Sequence, residues 1–200
     1  MKLVDERRLE TDLRYRFGYL AEFIGFGAEE VAALSAAAPS LTPMFPALVD
    51  AVYDQLHAYD ATWRHLAPTP PDFGGAVATS VSDVPMDHPS IRYRKEHLTH
   101  YLCALVSWNS DASGASYLDM LGRLHCGSAG AGNLDVPLVQ MNAMLGFLSD
   151  ALAASVLGLD VDCREKVDTF RALNKLLWIQ NDLINRHDLN VARGKPEVKV

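Results

Sequence analysis

The sequence of 200 residues predicts one all-α domain, and three observations support this fold class. Nearly every long segment has apolar residues spaced by three and four, whereas almost none alternates with period two. Glycine and proline separate these segments where helix ends are expected. Apolar residues make up 49% of the chain, enough for a sizeable core, and no shift in composition marks a boundary. We therefore predict a single domain over residues 1–192 and a polar tail over 193–200.

About eight helices are expected, and the first two are defined by an apolar stripe and a proline. The stripe covers about residues 9–24, and glycines at 25 and 27 follow it. A short helix over about residues 28–38 comes next. Pro39 is expected to break it, because proline has no N–H to donate to the helical ladder.

Thr42 and Pro43 are a typical N-cap and first-turn pair, and they predict the start of the third helix. This helix continues to about Ala58, and a brief helical piece over about residues 60–66 follows it. Residues 67–89 contain five prolines and two glycines, which is too many for a helix. A loop of this length in a compact domain is usually functional or mobile.

Four longer helices complete the chain, over about residues 90–108, 115–126, 136–157 and 162–187. The third of them begins at Asp135-Val136-Pro137, so an acidic residue is expected in its first turn, where the helix dipole favours negative charge. Its apolar side chains form one row and a second row beside it: Leu138, Met141, Leu145, Leu148 and Leu152, then Met144, Phe147 and Ala151. Both rows could pack on other helices, or one could face a bound apolar ligand.

Composition and charge exclude several classes of protein. Eighteen Lys and Arg against 25 Asp and Glu give a net charge of −7, which opposes nucleic-acid binding because that needs a basic surface. No apolar run reaches the roughly 18 residues that span a bilayer, and the first residues contain no signal-peptide core. Three cysteines at wide spacings indicate reduced thiols. We expect a cytoplasmic protein that binds neither nucleic acid nor a membrane.

Among the seven histidines, His125 is the most informative. No His-Glu-x-x-His, Cys-x-x-Cys or di-iron pattern is present, so a metal site built from protein ligands alone is not expected. His125 ends an apolar helix and could cap its C-terminus, a contribution of up to about 1 kcal/mol. Alternatively, its imidazole could coordinate the iron of haem in an apolar cleft. The sequence has no Cys-x-x-Cys-His, so any haem would be bound non-covalently.

The segment Leu121-Gly122-Arg123-Leu124-His125, followed by Asp135-Val136-Pro137 and a helix with Phe147, resembles the protoglobins, single-domain relatives of the globin domain in globin-coupled sensors. The similarity extends over roughly residues 10–188 and includes an extra N-terminal helix. It implies a globin-like helical sandwich that holds haem b, with His125 as the proximal iron ligand. It also implies reversible binding of O2, CO or NO, and a homodimer formed by the two C-terminal helices.

The resemblance assigns further residues to the haem pocket. Tyr53 would occupy a distal-side position from which a phenol can hydrogen-bond to O2, and Phe147 matches an aromatic wall of that pocket. Ala151, Leu98 and Val52 stand where the family has or can carry larger side chains, which implies a roomier pocket. The remaining predicted cofactor contacts are Tyr101, Leu121 and Met144.

Other roles for these side chains stay open from the sequence alone. The two predicted distal aromatics are ordinary core residues in many helical proteins. His97 and His100 share a helix face and could enter the distal side or stay solvated. Three cations of the same helix could pair with haem propionates or form a solvated face: Arg92, Arg94 and Lys95.

Two other functions are alternatives to a gas-binding globin. A haem enzyme for NO dioxygenation, nitrite reduction or peroxide chemistry would need electrons from outside, because no reductase domain is expected in this sequence. An all-α module for a lipid or a partner helix would contain no haem. We favour reversible ligand binding over enzymatic turnover.

Overall fold

The computed structural model describes residues 1–66, 74, 84–107, 112–125 and 136–192, and within these ranges it contains helices and no strand. It has nine α-helical segments there, or eight if the two that flank Asp12 are counted together. They are α1 (Glu6–Thr11), α2 (Leu13–Ile24), α3 (Ala28–Leu41), α4 (Phe45–His57), α5 (Asp60–Trp63), α6 (Pro89–Val106), α7 (Ala112–His125), α8 (Leu138–Leu157) and α9 (Cys163–Ala192). The predicted all-α class is confirmed.

The first predicted helix is in fact two helices, because Asp12 interrupts it. Asp12 has an extended backbone, with φ −123° and ψ 101°, and its carboxylate accepts a hydrogen bond from the Tyr15 N–H at 3.0 Å. It therefore ends α1 and caps α2. α2 ends at Gly25 as predicted, and the φ of 73° there lies in the left-handed region that favours glycine.

Two predictions about the next helices are wrong. Pro39 does not break α3, which continues through it to Leu41. Pro39 and Ser35, whose carbonyl loses its helical partner, are both exposed, so water can replace the missing hydrogen bond. Thr42 is not an N-cap, because it has helical backbone angles and begins a 3₁₀ turn, Thr42–Met44, that joins α3 to α4.

The joined helices correct a further expectation. Over Ala28–His57 they form a helical run that is long and apolar enough, by length and composition, to cross a membrane, with a mean hydropathy of 1.3. This run corrects the prediction that no apolar segment is long enough to span a bilayer. Several of its large side chains, including Leu34, Leu41, Phe45 and Val52, are buried in the protein core. The core helix of a soluble protein passes the same test, so the run is weak evidence for a membrane.

The later helices differ from prediction mainly at their ends. α6 begins at Pro89 and α7 at Ala112, each slightly earlier than predicted, and α9 extends to Ala192. α8 begins at Leu138, and its first turn contains no acidic residue. The predicted acidic residue, Asp135, lies outside the described residues.

Three predicted features fall on parts of the chain that the structure does not describe. They are most of the irregular loop over 67–89, the glycine-rich break over 127–132, and the tail over 193–200. The division of the chain into a domain over 1–192 and a tail stays a prediction.

The core is formed by two groups of helices that share α8. α9 packs against α7, α3 and α8, and α2 packs on α7 and α9. α4 packs against α6 and α8. Buried side chains from both groups form one cluster, which includes Leu34, Phe45, Leu118, Leu148 and Ile179. Each contributes about 1.5–3 kcal/mol of hydrophobic stabilisation, which holds the two groups together.

Candidate functional site

His125 ends α7, and the last turn of that helix holds its half-buried ring. The ring Nδ1 lies 2.7 Å from the backbone carbonyl oxygen of Leu121. A carbonyl oxygen only accepts hydrogen bonds, so Nδ1 is the protonated nitrogen, and Nε2 carries the lone pair of the neutral ring. A metal ion that binds at Nε2 requires this tautomer. The same contact also caps the helix, so the geometry is compatible with both interpretations of His125.

Gly122 brings α7 into backbone contact with α9. A Cβ built on this glycine would overlap the carbonyl oxygen of Ile184 and would lie 2.9 Å from both Ile184 Cα and His187 Cδ2. Real Cβ atoms do not come this close to their neighbours, so glycine is needed for this approach. The contact gives a physical reason for the glycine three residues before His125.

A buried ionic cluster centred on Asp119 also fixes α7 beside α9. Asp119 Oδ1 accepts a hydrogen bond from His187 Nε2 at 2.9 Å and lies 3.5 Å from Arg186 Nε, and Arg123 is 3.1 Å from Oδ2. Burial pushes the pKa of Asp119 upward, but the hydrogen bond from His187 and the charges of Arg186 and Arg123 outweigh it, so the pKa lies below its ordinary value. This cluster is not predicted from the sequence. The local signal for it is the spacing of four residues between Asp119 and Arg123, which places both on one face of a helix.

Tyr53 is buried on α4, the helix that packs against α6 and α8, and only 5% of it is exposed. Burial raises the pKa of its phenol well above the ordinary value, and the nearby Arg94 guanidinium opposes part of this shift. The phenol is therefore a neutral hydrogen-bond donor near pH 7. Lys95 Nζ lies 5.5 Å from the ring centre, over its face, and pairs with Asp50 Oδ1 at 2.8 Å.

The two other predicted site residues of α6 have different surroundings. Leu98 is half-buried and packs against the core cluster. Tyr101 is buried, with its ring centre 6.4 Å from that of Tyr117 on α7 and its hydroxyl near Gln180 on α9. Burial raises the pKa of Tyr101, so its phenol is neutral as well. Tyr101 therefore joins α6 to α7 and α9.

The two apolar rows of α8 differ in burial. In the first row, the buried side chains are those of Met141, Leu148 and Leu152. The second row is half-buried throughout and packs against the core cluster, as Leu121 of α7 does: Met144, Phe147 and Ala151. The second row therefore lies at the edge of the core.

His125 and Tyr53 lie in different groups of helices. In the part of the chain that the structure describes, α7 makes its main contacts with α9 and α2, whereas α4 makes its main contacts with α6 and α8. α6 and α7 meet where Tyr101 approaches Tyr117. From Tyr117, His125 lies eight residues further along α7, which is about 12 Å of helix. The two residues therefore lie on helices that are not a closely packed pair in the described chain.

His97 and His100 are exposed on α6, which fits a solvated role. The His97 ring packs at a tilt against Tyr93, with 4.3 Å between ring centres, and His100 lines a cleft of about 210 Å³ between α4 and α6. A larger apolar cleft of about 530 Å³ lies between α2 and α3. Neither cleft contains His125 or Tyr53, so both are separate from the candidate site.

Comparison with known proteins decides the family. The protoglobin family model matches residues 13–191, far more than half of the chain. The chain belongs to the protoglobin family. The predicted resemblance is thereby confirmed. No curated protein matches the chain.

This protoglobin is also similar to a solved globin. It resembles the globin domain of the Geobacter sulfurreducens globin-coupled sensor with a TM-score of 0.66 and 15% sequence identity. The match covers 84% of this chain and 94% of that one. Similarity at this identity establishes the fold, so the predicted globin-like arrangement of helices is confirmed.

Proposed function

We propose that this protoglobin binds haem b non-covalently through His125 and binds O2, CO or NO reversibly. The observation that carries the proposal is the hydrogen bond of 2.7 Å from His125 Nδ1 to the Leu121 carbonyl. It places the lone pair on Nε2, so the ring fits the role of a single axial ligand. Family membership supports the identity of the cofactor, since globins hold haem iron by one histidine.

The other predicted site residues fit an apolar pocket with one polar donor. Five half-buried side chains would surround the porphyrin and exclude water: Leu98, Leu121, Met144, Phe147 and Ala151. Tyr101 would close the pocket where α6 meets α7. Haem would supply the metal centre for the gas, and the neutral Tyr53 phenol would donate a hydrogen bond to an O2 ligand, worth about 1.5–3 kcal/mol.

The test of this function is the absorption spectrum of the purified protein supplied with haem. A strong Soret band should form, and it should shift when CO is added to the reduced protein. His125→Gly should lose this spectrum, and added imidazole should restore it by replacing the missing ring. His100→Ala, which removes an exposed histidine of α6, is the matched control and should leave the spectrum unchanged. A His125→Gly protein with the wild-type spectrum would remove His125 from its role.

The proposal also covers the location and the oligomeric state of the protein. We propose a cytoplasmic homodimer in which residues 1–192 form the globin domain and bind gas without enzymatic turnover. Exposed apolar side chains on α8 and α9 support a dimer through these helices: Leu157, Val167, Phe170 and Trp178. The net charge of −7 supports the absence of a nucleic-acid partner.

A further inference from the structure

The side chain of Lys95 on α6 contacts two residues of α4. Its ammonium group donates a hydrogen bond to Asp50 Oδ1 at 2.8 Å and lies over the face of the Tyr53 ring, 5.5 Å from the ring centre. A cation within about 6 Å of a ring centre is attracted by the ring. Asp50 and Tyr53 are three residues apart and so are neighbours on one side of α4. Lys95 therefore joins α6 to α4 at two points.

Lys95 is more enclosed than a typical surface lysine. Such a side chain keeps its charged end in water, whereas only 22% of the Lys95 side chain is exposed. Its partner Asp50 has a side chain that is 65% exposed, and an ion pair with so exposed a partner contributes little to stability. The main effect of the pair is therefore to hold the ammonium group over the Tyr53 ring.

This contact affects both the direction and the strength of the Tyr53 hydroxyl. The C–O bond of a phenol lies in the plane of its ring, so a cation that holds the ring face also fixes where the hydroxyl points. The ring face carries negative charge, and a cation above it draws electron density out of the ring. The hydroxyl hydrogen becomes more positive as a result, and the hydrogen bond that it donates becomes stronger.

We propose that Lys95 is a positioning residue for Tyr53, and that it slows O2 release by directing and strengthening the hydrogen bond from this phenol. The inference rests on the proposed function, because the O2 ligand is the acceptor of that bond. Lys95 acts through Tyr53 and does not contact the ligand itself. Bound CO carries less negative charge than bound O2, so CO release should depend little on Lys95.

The test measures dissociation of O2 and CO from the haem-loaded protein. Lys95→Met keeps a long side chain without the charge, and it should speed O2 dissociation about twofold to fivefold, while CO dissociation stays near the wild-type rate. Lys95→Arg should restore most of the wild-type O2 rate, because a guanidinium also binds a ring face. Arg92→Met removes an exposed cation of the same helix and is the matched control, so it should match the wild type.

A second comparison shows whether Lys95 acts through the phenol. Lys95→Met is combined with Tyr53→Phe, which keeps the ring and lacks the hydroxyl. In this background Lys95→Met should leave O2 dissociation unchanged. Equal acceleration with and without the hydroxyl would overturn the inference, because Lys95 would then affect the ligand without Tyr53. An unchanged O2 rate when Lys95→Met is the only substitution would overturn it as well.

A third measurement needs no haem and tests the contact with the ring. Urea unfolding of the apoprotein gives the effect of Lys95→Met in the wild type, in Tyr53→Phe and in Tyr53→Leu. The decrease in the unfolding free energy should correspond to an equilibrium constant about twofold to fivefold more affected where the ring is present than in Tyr53→Leu. Equal effects in all three would overturn the inference. If Tyr53→Leu does not fold, the kinetic comparison with Tyr53→Phe decides.

The outcomes separate this inference from the function on which it rests. Faster haem loss from Lys95→Met with wild-type O2 dissociation would assign Lys95 to a haem propionate and overturn the inference alone. Faster association of both gases with unchanged dissociation would assign it to ligand entry, with the same consequence. A protein that takes up no haem would overturn the proposed function, and this inference with it.

Discussion

Gly122 of α7 lies directly against the backbone of Ile184 in α9. No side chain separates the two helices at this point, so backbone contact sets their distance. His125 is three residues further along α7, and its position therefore depends on this contact. The glycine of the Gly-x-x-His segment has a structural role that is distinct from the chemistry of the histidine.

We expect Gly122→Ala to destabilise the protein by about 1–3 kcal/mol, because the added methyl group forces α7 away from α9. Urea unfolding measures the change. Gly18→Ala in α2 is the control, because a Cβ there meets nothing within 4 Å. It should stabilise the helix by up to about 1 kcal/mol. Equal stability of the two variants would contradict the close contact.

We expect Asp119→Asn to cost about 3 kcal/mol near neutral pH, because it removes the stronger of the two negative charges, Asp119 and Asp182, that act on the buried Arg186. The folded-state pKa of Asp119 is lowered, so its charge stabilises the fold above the unfolded value of about 4, and that stability is lost as the pH falls through the folded pKa. The wild type should therefore lose its advantage over the variant on acidification below about pH 4.

Urea unfolding at a series of pH values measures how the difference in stability between the wild type and Asp119→Asn shrinks. Asp168→Asn is the control, because Asp168 lies 3.7 Å from the largely exposed Arg164 at the surface of α9. Exposed ion pairs contribute about 0–1 kcal/mol, so this variant should remain close to the wild type. A constant difference between wild type and Asp119→Asn at every pH would show that the Asp119 charge does not stabilise the fold.

In the haem-loaded protein, Tyr53→Phe should speed O2 dissociation about tenfold or more, because the variant loses the hydrogen bond from the buried phenol. Stopped-flow displacement of O2 by CO measures the rate. Tyr59→Phe removes a hydroxyl from a residue that is 57% exposed, and it should have no effect. An unchanged rate in Tyr53→Phe would show that Tyr53 does not contact the ligand.

Trp178 is 61% exposed on α9, and Trp178→Glu should shift the protein from dimer to monomer, because a charge in an apolar interface is poorly solvated. Size-exclusion chromatography with light scattering measures the mass. Phe23→Glu is the control, since Phe23 is 79% exposed on α2, a helix outside the proposed pair of α8 and α9. If Phe23→Glu dissociates the dimer and Trp178→Glu does not, the interface lies elsewhere.

The helices could be predicted because their signal is local. Spacing by three and four and the glycine at position 25 were enough to place α2 and its end. The wrong predictions at Asp12 and Pro39 also concern local structure, but each depends on the surroundings of that residue. Asp12 prefers to cap a new helix rather than continue the first, and Pro39 is tolerated because the carbonyl that it leaves unpaired faces water.

The site could be predicted only in part, because its supports join distant parts of the chain. The assignment of His125 to the site came from its segment, and it stays a prediction. The hydrogen bond between Asp119 and His187 joins residues 68 positions apart, and the contact of Gly122 with Ile184 is similarly remote. Neither follows from a pattern within one helix. Arg94 was recognised as a cation, but the effect of its charge on the pKa of Tyr53 depends on the packing of α6 on α4.

In the described chain, α7 is attached mainly to α9 and α2, through Gly122 and the Asp119 cluster. It makes few contacts with α4, α6 and α8, so its side toward those helices is held less firmly than its side toward α9. The amide hydrogens of α7 should therefore exchange with deuterium sooner than those of α4 or α9 in the apoprotein. A cofactor held by His125 would bridge the two groups and slow that exchange.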